Sequence, residues 1–160
     1  MKFFTSDLIN SMSEENDKQW EKALIEYNNH FSKFKMHFPK TFFKVYEKKD
    51  YYHFHDGKVI EISVKRKNSK KVPFVVLLIT FQVGHEIYQL IYHSVANLEF
   101  RSNFQTEKLV FVKHNVDEFD VWLYDEFDQV NENTFSHEIL FLSESILKIH
   151  FKKISIKKIK

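Results

Sequence analysis

Chemistry-bearing side chains are densest at Tyr51-Tyr52-His53-Phe54-His55-Asp56-Gly57. On an extended strand His53 and His55, two residues apart, would share a face while Asp56 points to the other. Two imidazoles on one face plus a third ligand make a Zn or Fe site. His93, His137, Glu138 or His150 are the candidates for that third ligand, His137 being retained with His53 and His55 as a candidate metal position. The competing reading is structural. Asp56-Gly57 can form a turn in which the carboxylate bonds nearby backbone N–H groups. His55 can occupy a buried position by hydrogen-bonding Asp56 or a carbonyl, so that His55 and Asp56 clamp a structural seam. With 9 His in the chain, clusters arise by chance, and no His-Glu-x-x-His pattern singles this one out. The structural reading is therefore preferred.

Other chemistries lack the residues they need. There is no Cys, hence no thiolate ligand, thiol nucleophile or disulfide framework. No glycine-rich phosphate loop and no Gly-x-Ser-x-Gly elbow occurs. The seven acidic residues from Asp117 to Glu132 can attract a hard cation, but the spacing of an EF-hand loop is missing. These observations favour a non-enzymatic protein without a cofactor.

Elements that would position the seam differ on its two sides. Upstream, Trp20, Leu24, Tyr27, Phe31, Phe34 and Phe38 step by four and three, an aromatic stripe on a helix that Pro39 ends. Lys18, Glu21, Lys22, Glu26 and Lys33 take the other face. A short helix over 5–12 with Thr5 as cap precedes it, Ser11 and Glu14 have capping-box spacing for the long helix, and Thr41 can cap a third through Tyr46. Downstream the period becomes two: Ile60, Ile62 and Val64 alternate with Glu61, Ser63 and Lys65. Phe74 to Phe81 reads as a central strand covered on both faces. Further strands are expected at Glu86–His93, Val95–Phe100, Lys108–Lys113, Phe119–Val130, Phe135–Leu142 and Ile146–Ile156. In the last, the apolar set changes parity after Phe151, which requires a bulge or break near Lys152-Lys153.

The 160 residues suit a single domain, 43% apolar with 18 Phe, enough rings to fill a sheet-based core. The fold expected is α+β: a helical part over 1–50 packed on a strongly curved antiparallel sheet of about seven or eight strands over 51–160, partly barrel-like. No signal-peptide core and no apolar run of about 20 residues occurs, so a cytoplasmic setting without membrane contact is expected. The net charge is +2. Nucleic-acid binding would have to use the Lys65–Lys71 loop or the six lysines of 148–160, and the acidic segment opposes it.

The opening Met1-Lys2-Phe3-Phe4-Thr5, then Trp20, Tyr27, Phe38-Pro39 and Phe42, resemble a family of bacterial proteins built on a domain of unknown function. Its members start Met-Lys-aromatic-Phe-Thr and open an antiparallel sheet with a Leu-His-Asp element, here Phe54-His55-Asp56. Leu123-Tyr124-Asp125-Glu126, the run Thr134 to Phe141 and a closing strand with Ile149, Phe151 and Ile154 are similar as well. The resemblance implies a fold and a cytosolic bacterial setting, and no activity. Together with the opposed charged segments this favours a module that binds another protein, a description that toxin-neutralising immunity proteins fit. The alternatives are a small-molecule carrier with an aromatic-lined pocket and a metal-dependent enzyme centred on His53 and His55. The oligomeric state is open.

Overall fold

The computed structural model describes residues 1–5, 8, 14–48, 53–68, 72–102 and 119–160, with side chains from 17 onward in the first long helix. Helix α1 spans Glu14–Ser32, a 3₁₀ turn follows at Lys35–His37, and helix α2 spans Lys40–Tyr46. Eight strands complete the order: β1 (Gly57–Lys67), β2 (Phe74–Val83), β3 (Glu86–His93), β4 (Asn97–Arg101), β5 (Asp120–Asn131), β6 (Thr134–Phe141), β7 (Ile146–Phe151) and β8 (Lys153–Lys158). Of the expected elements, the strand at Lys108–Lys113 and most of the helix over 5–12 lie outside the described residues. Leu8 does donate its N–H to Thr5 Oγ1, 3.3 Å away.

The aromatic stripe faces the core, but α1 stops before its end. The Ser32 hydroxyl donates back to Asn29 O at 2.8 Å, and the amides of Lys33 and Phe34 bond three residues back rather than four. This tightening is how a helix end satisfies its last carbonyls. The 3₁₀ turn then returns Phe34 and Phe38 to the buried side beside Tyr27 and Phe31. Pro39, rather than Thr41, sits at the N-cap of α2 and accepts the Phe42 N–H at 2.9 Å. Its ring has no N–H to leave unsatisfied there.

All strand pairings are antiparallel, in the order β4-β7-β6-β5-β1-β2-β3-β8. The sheet curls because its ends are linked through two facing bends. β3 runs on into β4, and β7 into β8, while β3 pairs with β8 and β4 with β7. Ala96 N–H to His150 O (2.8 Å) and Lys152 N–H to His93 O (3.1 Å) stitch the two bends together. The break required near Lys152-Lys153 is thus a corner, and it keeps Leu147, Ile149, Phe151 and then Ile154 on the core side.

The helices cover the concave face, where Phe31, Phe38, Phe42 and Tyr46 meet Phe54, Phe127, Phe135 and Phe151 in edge-on or stacked contacts. Each fully buried ring contributes roughly 1.5–3 kcal/mol. Coverage of the strands departs from the reading of the apolar run. On β2 only Val76 is buried on the outer side, and Leu78 and Thr80 are half-exposed. The strand buried on both faces is β6, from Phe135 through Phe141. The chain start lies across its outer face, and the amides of Lys2, Phe3 and Phe4 donate to Glu126 at 2.6–2.7 Å.

Candidate functional site

The seam does not have strand geometry. Residues 53–56 form a turn, with His53, Phe54 and Asp56 at φ of 54°, 64° and 61°, a region that side chains with a Cβ adopt at some cost. The two imidazoles therefore diverge about a buried Phe54. His53 stacks on the Tyr46 ring at 4.3 Å and 3°, and its burial holds its pKa below the ordinary histidine value against the pull of Asp125 and Glu47. His55 packs edge-on against Tyr124, 4.8 Å away on the opposite side of β5. Its Nδ1 lies 3.1 Å from Asp56 Oδ1, but the Asp56 side chain is 77% exposed. Backbone bonds tie the turn: Asp56 N–H to Trp122 O and Gly57 N–H to Phe54 O, each 2.9 Å. A Cβ on Gly57 would lie 2.8 Å from Phe54 O, so the close approach calls for glycine.

His137 is elsewhere. It sits on β6 at the centre of a buried polar network that His53 touches through its stack on Tyr46. One irregularity in β5 makes this network possible. A bulge between Trp122 and Tyr124 resets the alternation, so that Trp122 and Asp125, three apart, both face the core. Asp125 Oδ2 then lies 2.8 Å from His137 Nε2 and accepts the Tyr46 hydroxyl at 2.9 Å. Its Oδ1 accepts the Trp122 indole N–H at 3.1 Å. Tyr92 OH is 2.7 Å from His137 Nδ1. At the far end Tyr27 OH sits 3.4 Å from Tyr46 OH and accepts the Phe127 N–H at 2.9 Å.

One assignment of protons satisfies every member. His137 is neutral, donates from Nε2 to Asp125 and accepts Tyr92 at Nδ1. Tyr27 donates to Tyr46, which donates to Asp125. Burial lowers the His137 pKa, outweighing the carboxylate's opposite effect. Burial, and next the charge on Asp125, raises Tyr27, Tyr46 and Tyr92 well above the phenol range. Phe127 stacks on the imidazole at 3.7 Å and 14°. The network is enclosed by rings, its side chains are buried, and its chemical capacity is to hold helices to sheet. Among the described residues no group of three or more His, Cys, Asp or Glu side chains is placed to hold a metal ion.

The acidic segment is largely consumed inside the fold. Asp120 bonds Ser143 Oγ (2.5 Å) and the Val121 amide, and burial raises its pKa despite them. Asp125 serves the network, Glu126 the chain start, and Asp128 meets His30 Nε2 at 2.7 Å. At the other end of the sheet Lys158 pairs with Glu86 at 2.7 Å, but four further lysines are not consumed in this way. Register places Lys65, Val76, His93 and Lys153 in one row across β1, β2, β3 and β8. On the same outer face Lys67 lies one row further on, and Lys157 lies two rows back, in the row of Glu61. Lys65, Lys67, Lys153 and Lys157 are exposed, and none has a carboxylate partner among the described residues. His93 registers their field: its pKa is lowered by burial, and next by Lys67 and Lys153. Phe74, Leu78 and Ile91 are half-buried apolar residues between these cations, and Val76 among them is buried. Glu61 is the acidic residue of the same face, in register with Thr80 and Gln89.

No helix among the described residues is long and apolar enough to cross a membrane. Comparison with protein-family models, with curated proteins and with solved structures gives no match in any of the three.

Proposed function

We propose that this chain is a cytoplasmic, non-enzymatic protein-binding module that docks an acidic protein on the cationic outer face of β1, β2, β3 and β8. The carrying observation is that Lys65, Lys67, Lys153 and Lys157 share one face with the half-buried apolar residues Phe74, Leu78 and Ile91. Four strands make a surface about 14 Å across, three spacings of ~4.8 Å. An apolar centre with charge at its border is the anatomy of a protein interface, and unpaired lysines steer an acidic partner toward it. A phosphate backbone would meet the same charges but leave the apolar residues uncovered, which favours a protein over a nucleic acid. An immunity-type role, neutralising an acidic toxin by docking, fits this reading.

The interior supports it as well. The positions an apolar ligand would need are filled by Trp122, Phe54, Phe81, Phe127 and Phe151, all buried, which weighs against an aromatic-lined carrier. The divergence of His53 from His55 weighs against a metal enzyme built on that pair. The test presents immobilised wild type and a variant carrying Lys65→Glu, Lys67→Glu, Lys153→Glu and Lys157→Glu to the same extract at low and high salt. A discrete acidic protein should be retained by wild type, released by salt and missing from the variant. Recovery of nucleic acid alone, or of the same proteins on both, overturns the proposal.

A further inference from the structure

A different surface carries a small cavity of about 310 Å³, at the lower end of small-molecule sites. It lies on the outer side of β5, β6, β7 and β4, beside the chain start. Register makes its floor a grid. One row runs Asp128, Ser136, His150, Asn97, and the next runs Glu126, Glu138, Lys148, Glu99, with Arg101 beyond on β4. Charge is segregated along this grid. The lining carboxylates Asp128, Glu126 and Glu138 come from β5 and β6, and the lining cations Lys148 and Arg101 from β7 and β4. Three charges depart from the gradient: the Met1 ammonium group and Lys2 line the acidic end, and exposed Glu99 sits at the basic end.

Many of these groups already serve the fold. Glu126 accepts three amides. Glu138 meets the Met1 amine at 2.5 Å and Lys148 at 3.2 Å, and these hold its pKa below the usual range although burial alone would raise it. The first row retains capacity. Asp128 uses Oδ1 for His30 and the Gln129 amide, which leaves Oδ2 without a hydrogen bond among the described residues. Ser136 Oγ lines the cavity in the same condition. His150, directly opposite Ser136 but not lining the cavity, has a buried Nε2 with no hydrogen-bond partner among the described residues. Buried polar atoms are rarely left so. Arg101 is 67% exposed and only 3.9 Å from Glu138 at its nearest, so its guanidinium fork is open to a carboxylate.

We propose that this cavity binds a small zwitterion, a free α-amino acid or a dipeptide. The ammonium group sits over Asp128 and Ser136, and the carboxylate faces Lys148 and Arg101. A simple anion would be repelled from the β5 end and a simple cation from the β4 end, so the segregated field selects a ligand carrying both charges. The inference is independent of the docking face, which lies on other strands.

The experiment measures melting temperature and calorimetric binding of the full chain against the twenty L-amino acids and a set of unblocked dipeptides. Each is run beside its N-acetyl and its C-amide form. At least one zwitterion should raise the melting temperature saturably, and neither blocked form should. Arg101→Gln and Asp128→Asn should each weaken that binding at least tenfold. Arg101 is largely exposed, so its variant keeps the fold and leaves docking on the lysine face unchanged. No shift with any zwitterion at millimolar concentration overturns the proposal, as does an equal shift with blocked forms or wild-type binding by Arg101→Gln.

Discussion

Replacing Asp125 by Ala removes the acceptor that three buried donors share: the Tyr46 hydroxyl, the His137 Nε2–H and the Trp122 indole N–H. A buried donor left without a partner costs about 1–3 kcal/mol. Tyr46 can turn its proton toward Tyr27, 3.4 Å away, so its loss falls at the low end of that range. His137 can shift its proton to Nδ1 and donate to Tyr92, which again recovers part of a bond. The indole has no such alternative. Loss of the buried carboxylate also ends its desolvation penalty. The net expectation is a loss of about 3–5 kcal/mol, three such unsatisfied donors with two of them partly recovered. That is a large share of the roughly 5–15 kcal/mol that holds a domain folded. Asp125→Asn keeps the shape but sets an NH₂ against either the indole N–H or the other two donors, and should cost about 2–3 kcal/mol. Urea unfolding followed by far-UV circular dichroism at neutral pH measures both. A midpoint for Asp125→Ala equal to wild type would refute the assignment of this network as the clamp between helices and sheet.

Three further outcomes follow from the same geometry. Gly57→Ala must displace the Phe54 carbonyl from its 2.8 Å approach and should lose about 1–3 kcal/mol in the same urea assay. His137 and His53 both titrate below the ordinary 6.5 in the fold because they are buried. The unfolded chain therefore binds protons first, and stability present above that value should fall as pH drops below it; His137→Gln should flatten the urea-midpoint profile there, and an unchanged slope would count against a neutral His137. Native-state hydrogen exchange should rank the amides of β6, buried on both faces, above those of β2, and the reverse order would show that the chain start does not cover β6.

The fold was legible wherever one local rule decided the matter. The spacing of Trp20 through Phe38 set the helical layer, the alternation from Ile60 to Val64 set the first strand, and the parity change after Phe151 located the corner. The helix end at Ser32 was missed because the 3₁₀ turn preserves the same buried stripe. The polar network was hidden for a stronger reason. Strict alternation puts Trp122 and Asp125 on opposite faces, and only the bulge between Trp122 and Tyr124 unites them. One signal was present: Phe135, His137, Ile139 and Phe141 alternate, which places a histidine among apolar residues facing the core. The reading of His53 and His55 as face-sharing neighbours assumed a strand where three residues have positive φ. The basic face needed tertiary pairing, since Lys65 and Lys153 meet only through β2 and β3.

Lysine-directed chemical labelling of the retained complex, read by mass spectrometry, tests docking on the β1-β2-β3-β8 face most directly. Lys65, Lys67, Lys153 and Lys157 should be shielded in the complex, while Lys18 and Lys22, exposed on α1, should label as in the free chain. Shielding of the α1 lysines with undiminished labelling of the four sheet lysines would contradict it.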